Sequence, residues 1–262
     1  MSQNKYLVYT CIFGNYDNLQ EISQKSDSID YICITDDLNL TSNTWNIKYV
    51  ELSRKPNEAN REYKMLPHKF FPMYESSIYV DGNISIQQDL IDFFKDKDTI
   101  LSISPHSLRN CIYKEAKACI KENKLSEEVV LNLIEYLKSE DYPKNNGLFE
   151  NNILFRRNTY KLNLVMEDWF DLFCNGIQRD QLTLCYLLYK QDLCVKRMDH
   201  GPRYSHKFFK LHLHKSECNL NVIKRVYLIS RMRIKVGLLY KVIFEIFEIF
   251  IKFKNIIFNV RS

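Results

Sequence analysis

With 262 residues, 45% of them hydrophobic and 26% charged, the chain carries enough apolar mass for one large domain or two small ones. Six glycines and six prolines exclude a collagen-like or linker-like chain, and no repeat of solenoid or propeller period is present. The net charge of +5 is uneven: residues 219–262 hold nine Lys and Arg against Glu245 and Glu248, so the rest of the chain is slightly acidic and gives no general argument for nucleic acid.

The chain enters a strand within five residues, without the apolar core or cleavage site of a signal peptide. KYLVYTCIF, residues 5–13, predicts that strand, ending at Gly14 and Asn15. DYICIT, 30–35, predicts a second, ending in Asp36 and Asp37, and WNIKYVEL, 45–52, a third. Pro56 and Pro67 bracket a short helix. SSIYV, 76–80, is a strand that runs straight into Asp81, Gly82 and Asn83, and TILSIS, 99–104, is another strand. Residues 107–123 and 126–140 predict helices, the second with Ser126 as N-cap and Glu127 and Glu128 in the first turn. KNNG, 144–147, predicts a turn, and NILFRR, 152–157, a strand. A helix over 164–176 closes at Gly176, another starts at 179–191, and residues 200–215 read as irregular. Strands separated by short helical stretches indicate an α/β domain with a largely parallel sheet. Eight cysteines without a CxxC pair point to reduced thiols in a cytoplasm rather than to disulfides or zinc.

In an open α/β sheet, ligands bind beyond the carboxyl ends of the strands. The polar groups there are Thr10 with Gly14, Asn15, Tyr16 and Asp17, then Thr35, Asp36 and Asp37, then Asp81, Gly82 and Asn83. Each set alone can equally be a cap or turn. An acid in a turn of this kind suits a hard divalent ion that holds a diphosphate, and Gly82 would let a phosphate approach the backbone. Arg61 and Lys64 share a helix face and can neutralise the same diphosphate; a solvated basic face is the plain alternative. His106, Arg109, Tyr113 and Glu115 have helical spacing, which places Arg109 and Tyr113 on one face with His106 at its start. Arg179, Asp180 and Gln181 open a helix, where the dipole would keep Asp180 ionised near a reacting centre.

YTCIFGNYD, DYICITDD, REYKMLPHKFFPMYESSIYVDGNISI, HSLRNCIYKEA and RDQLTL occur in this order and at spacings that resemble the TOD/MUCI-type glycosyltransferase-like family. The likeness spans residues 5–190. It implies a GT-A-like fold, a nucleotide-binding sheet flanked by helices, and sugar transfer from a nucleotide-sugar donor, a UDP-sugar being favoured. Asp81-Gly82-Asn83 then stands where GT-A enzymes carry Asp-x-Asp, with an amide in place of the second acid. Thr10, Phe13, Gly14, Asn15 and Tyr16 would line the nucleotide pocket, with Asp36 near the base or ribose and Arg61 and Lys64 on the phosphates. GLFENNILFRR, 147–157, resembles the segment placed under the sugar, which assigns Glu150, Asn151 and Asn152 to hydroxyl recognition. His106 and Arg109 would face the same sugar. Asp180, with Gln181 and Arg179, would be catalytic, as an acceptor base or as a stabiliser of an oxocarbenium-like transition state. The segment is similar to the Asp-Gln-Asp stretch of glycogenin-like retaining transferases, with Thr183 replacing the second acid, and so leans towards retention. A divalent metal, Mn2+ or Mg2+, would be held by Asp81, Asn83 and His214, with Lys215 on the diphosphate. His212 and His206 are the next candidates, and His212 and His214 would share one face of a strand.

The segment 236–260 holds too many charges for a membrane span. Polar residues at 241, 245, 248, 252, 255 and 259 form one narrow helical stripe. Lys241–Glu245 and Glu248–Lys252 can pair along it. The wide remaining face carries Phe244, Phe247, Phe250, Phe253 and Phe258. With the basic residues before it, this suits an interfacial helix on an anionic bilayer; packing on the body or on a second copy is the alternative. The organisation expected is a catalytic domain over 1–218 and a basic amphipathic tail over 219–262. The function expected is transfer to a cell-surface polysaccharide or glycolipid at the cytoplasmic membrane face. A non-catalytic sugar- or nucleotide-binding module, favoured by Asn83 and Thr183, and a nucleotidyltransferase are the competing readings.

Overall fold

The computed structural model describes residues 5–259, with side chains as far as Ile251. The chain begins with β1 (Tyr6–Ile12), β2 (Ile29–Thr35) and β3 (Asn46–Tyr49). α1 (Pro56–Met65) and a single turn, α2 (Pro67–Phe70), lead to β4 (Ser76–Val80), β5 (Ile84–Ile86) and α3 (Ile91–Lys95). β6 (Leu101–Pro105), α4 (Ile112–Lys121) and α5 (Glu127–Ser139) precede β7 (Phe149–Arg157). Then come α6 (Tyr160–Cys174), α7 (Leu184–Lys190), β8 (Lys196–Arg197), β9 (Phe209–Leu211), α8 (Lys215–Cys218), α9 (Val222–Met232) and α10 (Leu238–Asn259).

Seven strands form one sheet in the order β3-β2-β1-β4-β7-β6-β8. Neighbours run parallel except where β7 pairs antiparallel with β4 and β6. The expected α/β architecture is therefore present. Leu7, Tyr9 and Cys11 pack on one layer, with α1 and α4–α7, while Val8 and Ile12 pack on the other, with α3, β5 and β9. Burial on both faces explains why β1, β2 and β4 read as continuous apolar runs rather than as alternating ones.

Most elements lie where the sequence places them, and Ser126 caps α5 by accepting from the Val129 amide at 3.4 Å. Four details differ. Pro67 does not close the helix; α1 stops at Met65, and Pro67 opens α2 at a position that needs no N–H. The helix expected from residue 107 starts at Ile112, because the His106 ring accepts from the Leu108 and Arg109 amides and holds a turn there. Arg109 and Tyr113 therefore do not share a helix face. Tyr113 packs into the core and donates to the Tyr142 carbonyl at 2.7 Å. Asp180 opens a short 3-10 turn, Asp180–Leu182, before α7 rather than an α-helix. Finally, residues 200–215 are not irregular throughout, since β9 pairs with β5 within them; β9 ends at Leu211, so His212 and His214 share no strand face, and His214 is instead the N-cap of α8.

The carboxyl ends of β1, β2, β4 and β6 meet along one edge of the sheet. β7 runs the other way, so it is the start of β7, Phe149 to Asn152, that arrives at this edge. The Asp81 amide donates to the Asn152 carbonyl at 2.9 Å and locks the two turns together. α9 packs on the body rather than standing apart: Arg231 reaches Glu122 at 3.0 Å, and Met232 packs on the second core layer. Residues 219–232 thus touch the body at Arg231 and Met232.

Candidate active site

Two adjoining cavities open at this edge. The outer one, about 850 Å³, is lined by Phe13, Gly14, Tyr16, Asp17, Asn60 and Gly82, among others. The inner one, about 410 Å³, is lined by Asn83, His106, Arg109, Glu150, Asn151 and Gln181, among others. Tyr16, Arg61, Asp81, Lys124, Arg179 and His214 line both and so mark their junction.

The loop after β1 shapes the outer cavity. Gly14 has φ +60°, and a Cβ there would meet Pro56 at 3.0 Å, so glycine is required. The Asp36 carboxylate accepts from the Gly14 amide at 3.0 and 3.1 Å. Asp36 thus fixes the loop from behind. Asn15 accepts from the Lys215 ammonium, which ties this loop to α8. Thr10 is not brought to the cavity: it is buried on the face of β1 that carries Val8 and Ile12. Gly82 has a further reason to be glycine, since a Cβ would stand 2.8 Å from Ile12.

A buried ion network lies at the junction. The Lys64 ammonium is 3.0 Å from Asp180 and 3.4 Å from Asp81, and Arg61 Nε is 3.5 Å from Asp180. Arg61 and Lys64 are therefore not a solvated face. Burial alone would raise the Asp180 pKa, but Lys64, Arg61 and Arg179 outweigh it and hold the carboxyl well below its ordinary range. Neighbouring cations, not a helix dipole, keep Asp180 ionised. Trp169 Nε1 also donates to the Asp180 carbonyl at 2.9 Å.

Two residues that sequence reasoning missed aim Lys64. The Tyr9 hydroxyl donates to the Tyr63 carbonyl at 3.0 Å, and the buried Arg156 guanidinium donates to the Lys64 carbonyl and to the Tyr9 hydroxyl. A cation on the last carbonyls of α1 complements the helix dipole and fixes the turn that carries Lys64. Both residues sit within strands, and their sequence spacing gives no sign of this contact.

On the inner wall, Glu150 accepts from the Ser107 amide at 3.1 Å and pairs with Arg203 at 3.1 Å. Glu115 pairs with Arg109. His106 accepts at Nδ1 from the Leu108 and Arg109 amides, which leaves its proton on Nε2, 3.9 Å from Glu115. Asn151 is 3% exposed, and neither its amide nitrogen nor its oxygen has a partner among the described residues. The Asn152 side-chain oxygen is likewise buried and unpartnered. Orphaned amides are costly, so a cavity that keeps them is shaped for polar ligand groups.

The profile of the TOD1/MUCI70 glycosyltransferase-like domain family matches residues 1–222. The chain belongs to this family. No curated protein matches it. Among solved structures, apo mouse xyloside xylosyltransferase 1 is similar at 7% identity and a TM-score of 0.43, with 76% of this chain and 87% of that chain covered.

This glycosyltransferase-like chain does not carry a preformed metal centre among its described residues: no three His, Cys, Asp or Glu cluster tightly enough. Asp81 is the one acid of its turn. Asn83 is committed in part, its amide nitrogen donating to the His212 carbonyl at 2.8 Å. His212 itself bonds Ser85 at 2.8 Å, and neither it nor His206 lines the two cavities. His214 fits a ligand role better. Its Nδ1 faces Asp17 at 2.9 Å, which leaves Nε2 available, the usual arrangement of a carboxylate behind a metal-binding histidine. An ion brought in with a diphosphate would find Asp81 and His214, with the diphosphate supplying the remaining oxygens.

The Asp17–His214 pair was not legible, as the two are 197 residues apart. Burial opposes charge on His214, but Asp17 outweighs burial and raises its pKa above the ordinary value. The pair's contribution to stability is therefore complete below about pH 6.5 and is lost as pH rises through the raised value. In an NMR titration, His214 of the parent titrates above about 6.5. In Asp17→Asn its midpoint moves down; an unmoved midpoint would show that Asp17 is not the cause.

Proposed function

We propose that the protein transfers a sugar from a nucleotide-sugar donor, a UDP-sugar by preference, to a cell-surface polysaccharide or glycolipid at the cytoplasmic face of the membrane. The observation that carries this reading is the junction itself. Arg61, Lys64 and Arg179 gather with Asp81 and Asp180 where an outer cavity of nucleotide size meets an inner one with orphaned amides. Tyr16 would stack on or flank the nucleotide. Arg61, Lys64 and Arg179 would neutralise the diphosphate as it leaves, and Asn151 and Asn152 would take sugar hydroxyls. A divalent ion, Mn2+ or Mg2+, held by Asp81 and His214 would add charge neutralisation of the leaving diphosphate. All eight cysteines are free, which suits a reducing compartment.

Asp180 acts here through its charge and its hold on Lys64 and Arg61. A carboxylate held so far below its ordinary pKa is a poor base. The other acids of the inner cavity are engaged too: Asp81 by Lys64, Glu115 by Arg109, Glu150 by Arg203 and Ser107, and Glu217 by the His214 amide. An inverting transfer needs a free base for the acceptor, so this arrangement favours retention.

The test is a donor screen on purified protein and on Asp81→Ala, with and without manganese, reading released nucleoside diphosphate. Slow release by the parent and loss of it in the variant is the expected result. The second reading, a binding module, is favoured by the engaged acids. It predicts calorimetric binding of one nucleotide sugar with no release from any.

A further inference from the structure

We propose that the α9–α10 hairpin is a docking surface for an anionic lipid bilayer and that it sets the inner cavity beside that bilayer, so that the acceptor is a lipid-borne glycan. The acceptor clause rests on the transferase reading; the docking clause does not.

Tyr227 of α9 fixes how α10 is turned. Its ring lies 5.8 Å from Phe244 and 5.6 Å from Phe247, and its hydroxyl donates to Glu248 at 3.0 Å. Phe244 and Phe247 therefore face inward, not out as the sequence stripe suggests. The opposite side of α10 is left uncovered: Leu239, Val242, Ile246, Ile249 and Phe250 are 43% to 70% exposed. Spacings of three and four place most of them on one stripe. Val222 and Ile223 of α9 are exposed as well. Phe253, Asn255, Phe258 and Lys252, the partner expected for Glu248, lie outside the described side chains.

An apolar surface of this extent marks an interaction site. Charge decides between a second copy and a bilayer. The segment 219–262 holds nine basic residues and two acids, and Glu245 already faces Lys241 at 3.8 Å, with Glu248 bonded by Tyr227. Two copies would bring like charges together, whereas anionic headgroups would attract exposed Lys224, Lys235 and Lys241. Among the described residues no helix is long and apolar enough to cross a membrane, so the hairpin would lie on the surface.

The other side of α9 belongs to the active site. Leu228, Arg231 and Met232 line the inner cavity. One helix thus walls the cavity and borders the exposed apolar surface, which brings an acceptor in from the bilayer plane.

The experiment is flotation of the full chain with phosphatidylcholine vesicles, with and without phosphatidylglycerol, beside the double variant Ile246→Asp, Ile249→Asp. Both positions are exposed, so the fold should persist, and donor hydrolysis in solution, if the parent shows it, should match the parent. The parent floats only with the anionic vesicles, and the variant's bound fraction falls about tenfold or more. Equal flotation on neutral vesicles, or no flotation, overturns the proposal. So does a parent that sediments as a dimer while the variant is a monomer, which would make a second copy the occupant. Loss of donor hydrolysis in both proteins with flotation intact would count against the transferase reading and leave the docking surface standing.

Discussion

Lys64→Met destabilises the protein by about 3 kcal/mol, because it leaves the buried Asp180 carboxylate with only its more distant arginine partners. The measurement is equilibrium unfolding in urea. Asp180→Asn should cost less, since the amide keeps the shape, Lys64 keeps Asp81 and Arg61 keeps some contact with solvent. The double variant should recover part of the loss of Lys64→Met, as expected for residues in one network. The pH dependence has a definite sign. The Asp180 pKa is depressed by folding, so the stability it supplies is present above about pH 4 and is lost as pH falls further. The parent should therefore lose more stability on acidification than Asp180→Asn does. Additive single and double variants, or equal acid sensitivity, would show that the ion pair is incidental.

Asn151→Leu gives the opposite pair of effects: a more stable protein with little or no transfer chemistry. The parent buries both amide atoms without a partner, and a near-isosteric apolar side chain removes that burden. A gain of about 1 kcal/mol corresponds to roughly 2–4 °C in melting temperature for a chain of this size. If Asn151 meets the donor sugar, donor hydrolysis should fall by about a hundredfold or more. Reduced stability would mean that the amide is satisfied in the folded protein, and unchanged hydrolysis would remove it from the sugar site.

The strands and their functional ends were legible because local chemistry declares them. Apolar runs buried on two faces stop abruptly at Gly14, Asp36 and Asp81, and the structure gathers those ends on one edge. Asn151 and Asn152 were reached through the resemblance of GLFENNILFRR, and both line the inner cavity. What escaped is what depends on distant partners. Lys64 and Asp180 are 116 residues apart, and nothing local to either marks the pair. The misreading of His212 and His214 is also physical. A period of two holds only while a strand lasts, and β9 pairs with β5 only as far as Ile84 and Leu211. Beyond that point Asn83 grips the His212 carbonyl, the chain turns, and His214 goes to Asp17. The charge imbalance of residues 219–262 suggested a basic amphipathic tail, with packing on the body as the alternative. Composition could not reveal that Arg231 pairs with Glu122.

The reversed strand β7 has a consequence for how such a protein could diversify. The outer cavity draws on loops that leave their strands, at Phe13–Asp17 and Asp81–Gly82, while the inner one draws on the start of β7 itself and on the loop after β6. Under the proposed transfer reading, nucleotide choice and sugar choice would then rest largely on different stretches of the chain. Exchanging residues 149–152 for those of another family member would then reshape the floor of the inner cavity while leaving the outer one in place. The fold behaves as a socket with an interchangeable floor.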